Sequence, residues 1–164
     1  MAYTKYLKHW VWIDIVALTA VFVVRVETGI LAIDVPPSPW MLSATASLAL
    51  YLAAVKRREE LRRIGSDARM CLKHYTVAQL DAAKLLGAMA AASSYAVFAA
   101  TVRPVLIPTI AFVILGIARF EWRTRESGGE STAEVVLRDP ALIACILLWA
   151  VAAGIALLQS GIAA

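Results

Sequence analysis

The sequence has few of the residues from which disulfide frameworks and metal centres are built. It contains two cysteines and two histidines. Cys71 falls in a basic loop and Cys145 in an apolar run, so their spacing fits neither a disulfide framework nor a metal site, and both are interpreted as free thiols. The sequence also lacks a glycine-rich phosphate loop, a nucleophile elbow and a histidine-plus-carboxylate metal motif. These absences exclude the motif-defined classes of nucleotide-binding, serine-hydrolase and zinc enzymes.

Charged residues are scarce as well. They make up 17% of the chain, whereas hydrophobic residues make up 61%, against about 45–50% in soluble domains. The apolar residues form recurrent runs, which predicts a polytopic membrane protein whose first partner is the lipid bilayer. The net charge of +4 does not indicate nucleic acid, because the basic residues concentrate beside the apolar runs, where they set orientation and attract anionic head groups.

The apolar runs predict an all-α membrane bundle with about five transmembrane helices, since a spanning helix needs about 20 residues. At 164 residues the chain is a single membrane domain. Thr76 is a plausible N-cap of the third helix, and Pro108 is expected to kink the fourth. The predicted helices cover residues 9–33, 39–63, 76–101, 104–122 and 140–159, and the predicted cytoplasmic loops cover residues 64–75 and 123–139.

Lysine and arginine are distributed unevenly about these helices. The N-terminal segment and both predicted loops are basic, whereas the opposite side carries only Arg103. By the positive-inside rule, the N-terminus and the two loops are expected to be cytoplasmic.

The first predicted helix carries Asp14, Arg25 and Glu27. Intramembrane charges are costly and usually face a protein interior or a watery cavity, so this helix marks a candidate site. Asp14 and Arg25 share a face but lie about 16 Å apart along the axis, too far to pair. Asp14 could hold Mg²⁺, or it could pair with Lys8 or His9 at the interface. Arg25 could contact a ligand or form a structural ion pair.

The strongest positive cluster is Lys56-Arg57-Arg58, at the end of the second predicted helix. It could clamp a phosphate, or it could be an ordinary positive-inside flank. Helical spacing lets Glu59 and Glu60 pair with arginines of the same helix. The same spacing predicts an ion pair between Asp81 and Lys84, and a polar packing seam is expected at Ser93, Ser94 and Tyr95.

Motifs along the whole chain, in order, resemble the second half of UbiA-type prenyltransferases, in the decaprenyl-phosphate phosphoribosyltransferase branch. The residues that carry the resemblance are Tyr3-Thr4-Lys5-Tyr6-Leu7-Lys8-His9, Asp14, Phe22-Val23-Val24-Arg25, Gly29, Ala32, Asp34-Val35-Pro36, Ser38-Pro39-Trp40, Lys56-Arg57-Arg58, Glu60-Leu61, Tyr75-Thr76, Ser94-Tyr95, Arg119-Phe120, Leu137-Arg138-Asp139 and Trp149.

The resemblance implies an all-helical membrane enzyme that holds Mg²⁺ and a diphosphate with two acidic motifs near the cytoplasmic side. That branch transfers a phosphoribosyl group from phosphoribosyl pyrophosphate to a polyprenyl phosphate. It implies that Asp14 is a metal-binding carboxylate, that Tyr3 and Lys8 lie at the diphosphate, and that Arg25 and the cluster Lys56, Arg57 and Arg58 border the polar chamber. It also implies a bacterial cytoplasmic membrane.

The sequence departs from the family pattern in three places. The first motif, Asn-Asp-x-x-Asp, is absent, Leu18 stands where the superfamily often has a second carboxylate, and Glu27 replaces a small apolar residue. The isolated chain is therefore expected to be inactive, and to act only with another membrane protein chain that supplies the missing half or as a fragment of a longer protein. The alternative is a non-catalytic structural subunit of a larger respiratory or photosynthetic membrane complex, which leaves open whether the protein acts as an enzyme.

Overall fold

The computed structural model describes residues 11–32, 37–64, 76–126 and 132–162, and within these ranges the chain is helical without a strand. This confirms the predicted all-α membrane fold class. The elements are α1 (Val11–Ala32), α2 (Pro39–Ile64), α3 (Val77–Thr101), a 3₁₀ helix (Pro104–Thr109), α4 (Ile110–Glu126), α5 (Thr132–Arg138) and α6 (Pro140–Ile162).

Three segments of the described chain are long and apolar enough to cross a membrane: Ile15–Ala32, Val77–Thr101 and Pro104–Glu126. A shorter apolar stretch, Pro140–Ala156, lies in α6. Of the five predicted spans, three therefore correspond to full-length candidates among the described residues. The second predicted span falls short because the apolar part of α2 ends at Val55 and charged residues follow.

The stretch 123–139, predicted as a loop, is partly helical. Helix α4 continues to Glu126, and α5 begins at Thr132. Two arginines in the last turn of α4 complement the negative end of the helix dipole. In α5, Val135 is almost fully buried and packs in one apolar cluster with Phe120 and Leu142. This anchor fixes a helix where the polar composition had indicated a loop.

The expected kink at Pro108 is a change of helix type. Residues Pro104–Thr109 form the 3₁₀ helix, and the α-helix starts at Ile110. Pro108 thus lies just before the first residue of α4, where its missing amide hydrogen removes no hydrogen bond of the α-helix. Thr76 caps α3 as predicted, with its hydroxyl accepting from the amide of Gln79.

Helices α2 and α3 pack very closely. A Cβ atom added to Gly87 of α3 would lie 3.0 Å from the backbone nitrogen of Tyr51 in α2. Further along the same interface, the hydroxyls of Ser43 and Ser94 are 3.0 Å apart. The small residues of α3 thus allow the two backbones to approach, as small residues do in membrane helix pairs.

The predicted polar seam joins three elements. The Tyr95 hydroxyl lies 2.6 Å from the Thr109 hydroxyl in the 3₁₀ helix, and the indole nitrogen of Trp149 in α6 donates to Tyr95 at 3.1 Å. Ser93 is exposed and bonds to its own helix, so Ser94 and Tyr95, but not Ser93, connect helices.

Asp139 fixes the start of α6 and joins it to α4. Its carboxylate accepts from the amides of Ala141 and Leu142, and it lies 2.9 Å from Arg119 Nε and 3.2 Å from Arg123 Nε. Burial raises the pKa of this carboxyl, but the hydrogen bonds from Arg119 and from the two amides outweigh burial and lower the pKa below its ordinary value of 3.8.

We predict that Gly87→Ala destabilises the fold, because the new methyl group would press on the Tyr51 backbone rather than on a flexible side chain. Overpacking of this kind costs about 1–3 kcal/mol, partly offset by the better helix propensity of alanine. The melting temperature in detergent should fall. Gly154→Ala is the control, since nothing lies within 4 Å of its added Cβ; an equal fall there would show that close packing at Gly87 is not the cause.

We predict that Asp139 stabilises the fold at neutral pH and loses this effect only in strong acid. Because its pKa is lower in the folded than in the unfolded chain, its stabilisation is present above pH 3.8 and disappears as the pH falls through the folded value. Asp139→Asn keeps a capping oxygen but removes the charge, so thermal melting of this variant should depend less on pH in the acidic range. Asp139→Ala should lower the free energy of unfolding by about 1 kcal/mol more than Asp139→Asn does, because it also removes the N-cap hydrogen bonds. Identical melting curves for both variants and the parent would contradict this role.

Candidate functional site

A groove of about 760 Å³ opens between the charged end of α2, the first half of α3 and the second half of α4. Its residues come from three helix segments that meet at one edge of the bundle. The lining residues are Tyr51, Arg58, Arg62, Asp81, Lys84, Leu85, Ala88, Met89, Ala92, Ile114, Ile117, Ala118, Glu121 and Arg125.

An ion pair between Lys84 of α3 and Glu121 of α4 lies at the polar end of the groove. Their nitrogen and oxygen atoms are 2.8 Å apart, and the lysine side chain is only 8% exposed. The other carboxylate oxygen accepts a hydrogen bond from the Tyr51 hydroxyl at 3.1 Å, and Arg125 Nε donates to the carboxylate at 3.2 Å. Glu121 thus binds groups from α2, α3 and its own helix.

A second ion pair connects Arg58 of α2 with Asp81 of α3 through two nitrogen–oxygen contacts. Asp81 also lies 4.0 Å from Lys84, so the predicted Asp81–Lys84 contact exists, but each residue has a closer partner on another helix. Arg62 pairs with Glu59, as the helical spacing predicted, at 3.5 Å.

The groove is positively charged at this end. Four cations line it (Arg58, Arg62, Lys84 and Arg125) with the carboxylates of Asp81 and Glu121. Glu59 behind the groove pairs with Arg62, so one positive charge remains in excess. Arg125 is largely exposed, with 74% of its side chain accessible, so its guanidinium can contact an incoming anion as well as Glu121. The arrangement favours a phosphate over a neutral or cationic head group.

The rest of the groove is apolar. Its walls are Leu85, Ala88, Met89 and Ala92 on α3 and Ile114, Ile117 and Ala118 on α4. Along α3 the apolar wall extends about 12 Å beyond Lys84, at 1.5 Å per residue. The groove therefore suits an amphiphile with an anionic head and an apolar chain.

The structure brings one of the predicted site residues into this groove. Arg58 lines it, whereas Lys56 is exposed outside it and Arg57 pairs with Glu60 on its own helix. Arg25 is exposed on α1 and does not line the groove.

The remaining predicted residues lie outside the part of the structure that is described. Tyr3 and Lys8 precede the described residues, and Asp14 is described only as part of the α1 backbone. Their proposed roles at a diphosphate and a metal stay predictions.

Tyr51, Glu121 and Arg125 were not predicted as site residues from the sequence, and Lys84 was expected only to form a structural ion pair. One signal was present: Glu121 is an acidic residue inside a segment apolar enough to span a membrane, and such residues mark functional sites by default. Its partner Lys84 is 37 positions away, so spacing could not connect the two.

The groove itself does not fit a Mg²⁺ ion, whereas the Mg²⁺ predicted at Asp14 stays a prediction. Both of its carboxylates are bound to cations, Asp81 to Arg58 and Glu121 to Lys84 and Arg125. Among the side chains that the structure describes, no three histidine, cysteine, aspartate or glutamate residues cluster in a way that could hold a metal ion. Hard cations need carboxylate oxygens that are not already neutralised.

The fold and the apolar helices define an integral membrane protein of the all-α class. No family model matches the chain. It is similar to curated proteins named decaprenyl-phosphate phosphoribosyltransferase, which confirms the predicted resemblance to a UbiA-like branch.

Three of these relatives show the extent of the similarity. The Mycolicibacterium smegmatis protein is 35% identical over 102 residues, which cover 60% of this chain and 32% of the relative. The Mycobacterium tuberculosis protein is 31% identical over 60% of this chain and 34% of its own length. The Corynebacterium glutamicum protein is 28% identical over 153 residues, 87% of this chain and 46% of the relative. The chain thus spans between about a third and a half of the relatives it matches.

We predict that Glu121→Gln destabilises the protein, because it leaves Lys84 mostly buried with its nearest remaining carboxylate 4.0 Å away. The expected loss is about 2 kcal/mol, between the values for exposed and fully buried pairs, since Glu121 is 25% exposed. Thermal melting in detergent measures it. Glu126→Gln is the matched control on the same helix, since Glu126 is about half exposed and its loss should change little. Equal effects of the two substitutions would show that the Lys84–Glu121 pair stabilises the fold no more than an exposed ion pair does.

Proposed function

We propose that this protein binds a polyprenyl phosphate in the groove between α2, α3 and α4. The observation that supports this proposal is the groove's division into a cationic end and apolar walls. The similarity to proteins named decaprenyl-phosphate phosphoribosyltransferase supports the same ligand class, because that name specifies a polyprenyl phosphate.

The head group is assigned to the cationic end. Lys84 is held in place by Glu121, and Arg58 by Asp81, so their positive charges are already oriented when a phosphate arrives. Arg125 supplies an exposed guanidinium, which can bind two phosphate oxygens at once. These ion pairs also keep the polar end hydrogen-bonded when the groove is empty, which avoids unpaired charges beside the membrane.

The polyprenyl chain is assigned to the walls formed by α3 and α4. Leu85 and Met89 are more than half exposed, and so is Ile114, so a bound isoprenoid would cover side chains that otherwise face lipid or solvent. Each CH₂ moved from water to such a surface contributes about 0.8 kcal/mol. In a bilayer this gain is small, because lipid is equally apolar, so recognition depends on the phosphate.

We further propose that the protein contributes the lipid-acceptor part of a phosphoribosyltransferase-like reaction and does not catalyse transfer alone. Both carboxylates in the groove are neutralised by cations, so neither is available to accept a proton or hold a metal. The same pairing favours, as a second candidate, a lipid-holding subunit of a larger membrane assembly without a catalytic role. The two candidates differ in whether catalytic carboxylates reach the groove from a part of the assembly outside the residues that match the relatives.

A binding experiment tests the lipid assignment. We predict that the detergent-solubilised protein binds farnesyl phosphate at least about tenfold more tightly than farnesol, equivalent to 1.4 kcal/mol. The combined substitution Lys84→Gln and Arg125→Gln should abolish this difference. Affinity is measured by native mass spectrometry at increasing lipid concentration.

The control is Arg103→Gln, which removes an exposed cation that does not line the groove. It should leave the preference for the phosphate unchanged. Equal affinity for phosphate and alcohol, or an equal loss with Arg103→Gln, would contradict the groove assignment.

A turnover assay tests the second part of the proposal. The purified chain, given phosphoribosyl pyrophosphate, polyprenyl phosphate and Mg²⁺, should form no product above background. Product formation by the chain alone would overturn this part and leave the binding assignment standing.

A further inference from the structure

Two charged side chains lie on the outer surface of a helix that is apolar enough to span a membrane. The apolar segment of α1, Ile15–Ala32, is 18 residues long, or about 27 Å. Arg25 lies about 15 Å from its start and about 10 Å from its end, close to its middle, and Glu27 follows about 3 Å further on. Both side chains are exposed, and the structure gives neither an ion pair nor a hydrogen bond with any residue of the described chain.

Exposed charges at this depth are unfavourable in lipid. A charged residue at the centre of a transmembrane helix costs at least about 2.5–3.5 kcal/mol, and such residues almost always face a partner or a watery cavity. Neither residue lines the groove. Another surface therefore has to supply charged or polar partners for Arg25 and Glu27.

The outer face of α1 follows a seven-residue repeat. One apolar position of the repeat is occupied by Val21 and Thr28. The other is occupied by Ala17, Val24 and Leu31, and all five side chains are exposed. The Thr28 hydroxyl donates to the carbonyl of Val24 within the helix, so this position presents no unpaired donor. In contrast, Ile15 and Ile30, on the opposite face, are buried in the bundle. The exposed stripe has the spacing of a left-handed helix pair.

Arg25 and Glu27 flank this stripe on its two sides, since residues two apart differ by about 200° around a helix. In a parallel two-fold pair, opposite flanks of the two helices come together on each side of the seam. Arg25 of each copy then lies on the same side of the seam as Glu27 of the other, with about 3 Å between them along the helix axis, and this arrangement occurs twice. This reciprocity is what a two-fold interface requires.

We propose that the chain forms a parallel homodimer through the outer face of α1, with Val21, Val24 and Thr28 in the seam and Arg25–Glu27 ion pairs on both sides. A second copy satisfies both charges and covers the apolar stripe with one symmetric contact. The proposal is independent of the groove, which faces a different part of the bundle.

Cysteine cross-linking in native membranes tests this geometry. In a background with Cys71→Ser and Cys145→Ser, Val24→Cys should form a disulfide-linked product with twice the mass of the chain under mild oxidation. Phe22→Cys is the matched control, because Phe22 is exposed on the same helix but lies outside the stripe, and it should cross-link poorly.

Charge exchange tests the ion pairs. Arg25→Glu or Glu27→Arg alone should weaken dimerisation about tenfold or more, within the range of interhelical polar contacts in membranes, and the double exchange should restore it. Dimerisation is measured as the Val24→Cys cross-linked fraction at increasing dilution into lipid.

Three results would overturn the proposal. They are cross-linking of Val24→Cys no greater than that of Phe22→Cys, a cross-linked product whose mass is not twice that of the chain, and charge exchanges without effect. If the single exchanges fail to insert into the membrane, the comparison of Val24→Cys with Phe22→Cys still decides the question, because both variants keep Arg25 and Glu27.

Discussion

The ion pair between Lys84 and Glu121 is the contact on which the candidate site depends. It joins α3 to α4 where both helices reach the charged edge of the bundle, and the Tyr51 hydroxyl brings α2 to the same carboxylate. Without this contact, a mostly buried ammonium group would lie between helices with its nearest carboxylate, Asp81, 4.0 Å away. The pair therefore sets the spacing of the helices that form the groove, and it orients the positive charge assigned to a phosphate.

The close approach of α2 and α3 makes that arrangement possible. Gly87 lies one turn beyond Lys84 on α3 and leaves no room for a side chain against the Tyr51 backbone. The same contact places the Tyr51 hydroxyl within reach of Glu121. At the opposite end of α4, the 3₁₀ helix and the seam around Tyr95 hold the helix against α3 and α6. Packing of small residues and a few polar contacts thus fix the groove from both ends.

The sequence allowed the helices to be predicted well, because their apolar runs and caps are local signals. Thr76 and Pro39 mark the starts of α3 and α2 within a residue of the observed positions. The short helix α5 was missed because a single buried residue, Val135, fixes it through contacts with distant parts of the chain.

The site was predicted less well than the fold. Arg58 was identified as a cation near a site, but its partner Asp81 is 23 positions away, and the partner of Lys84 lies on another helix. Charge pairs between helices depend on packing, which spacing along one helix does not report. The resemblance to UbiA-type proteins implied a site at Asp14 and the N-terminal segment, whereas the groove in the described structure lies at Lys84 and Glu121.

The most direct test of the account is to map where a lipid phosphate lies in the protein. A polyprenyl phosphate that carries a photoactivatable diazirine near its head group can be cross-linked to the membrane-embedded protein and located by peptide mass spectrometry. We predict labelling on α3 and α4, near Leu85, Met89 and Ile114, with competition by unlabelled polyprenyl phosphate but not by the alcohol. Labelling confined to other helices, or unaffected by the phosphate competitor, would contradict it.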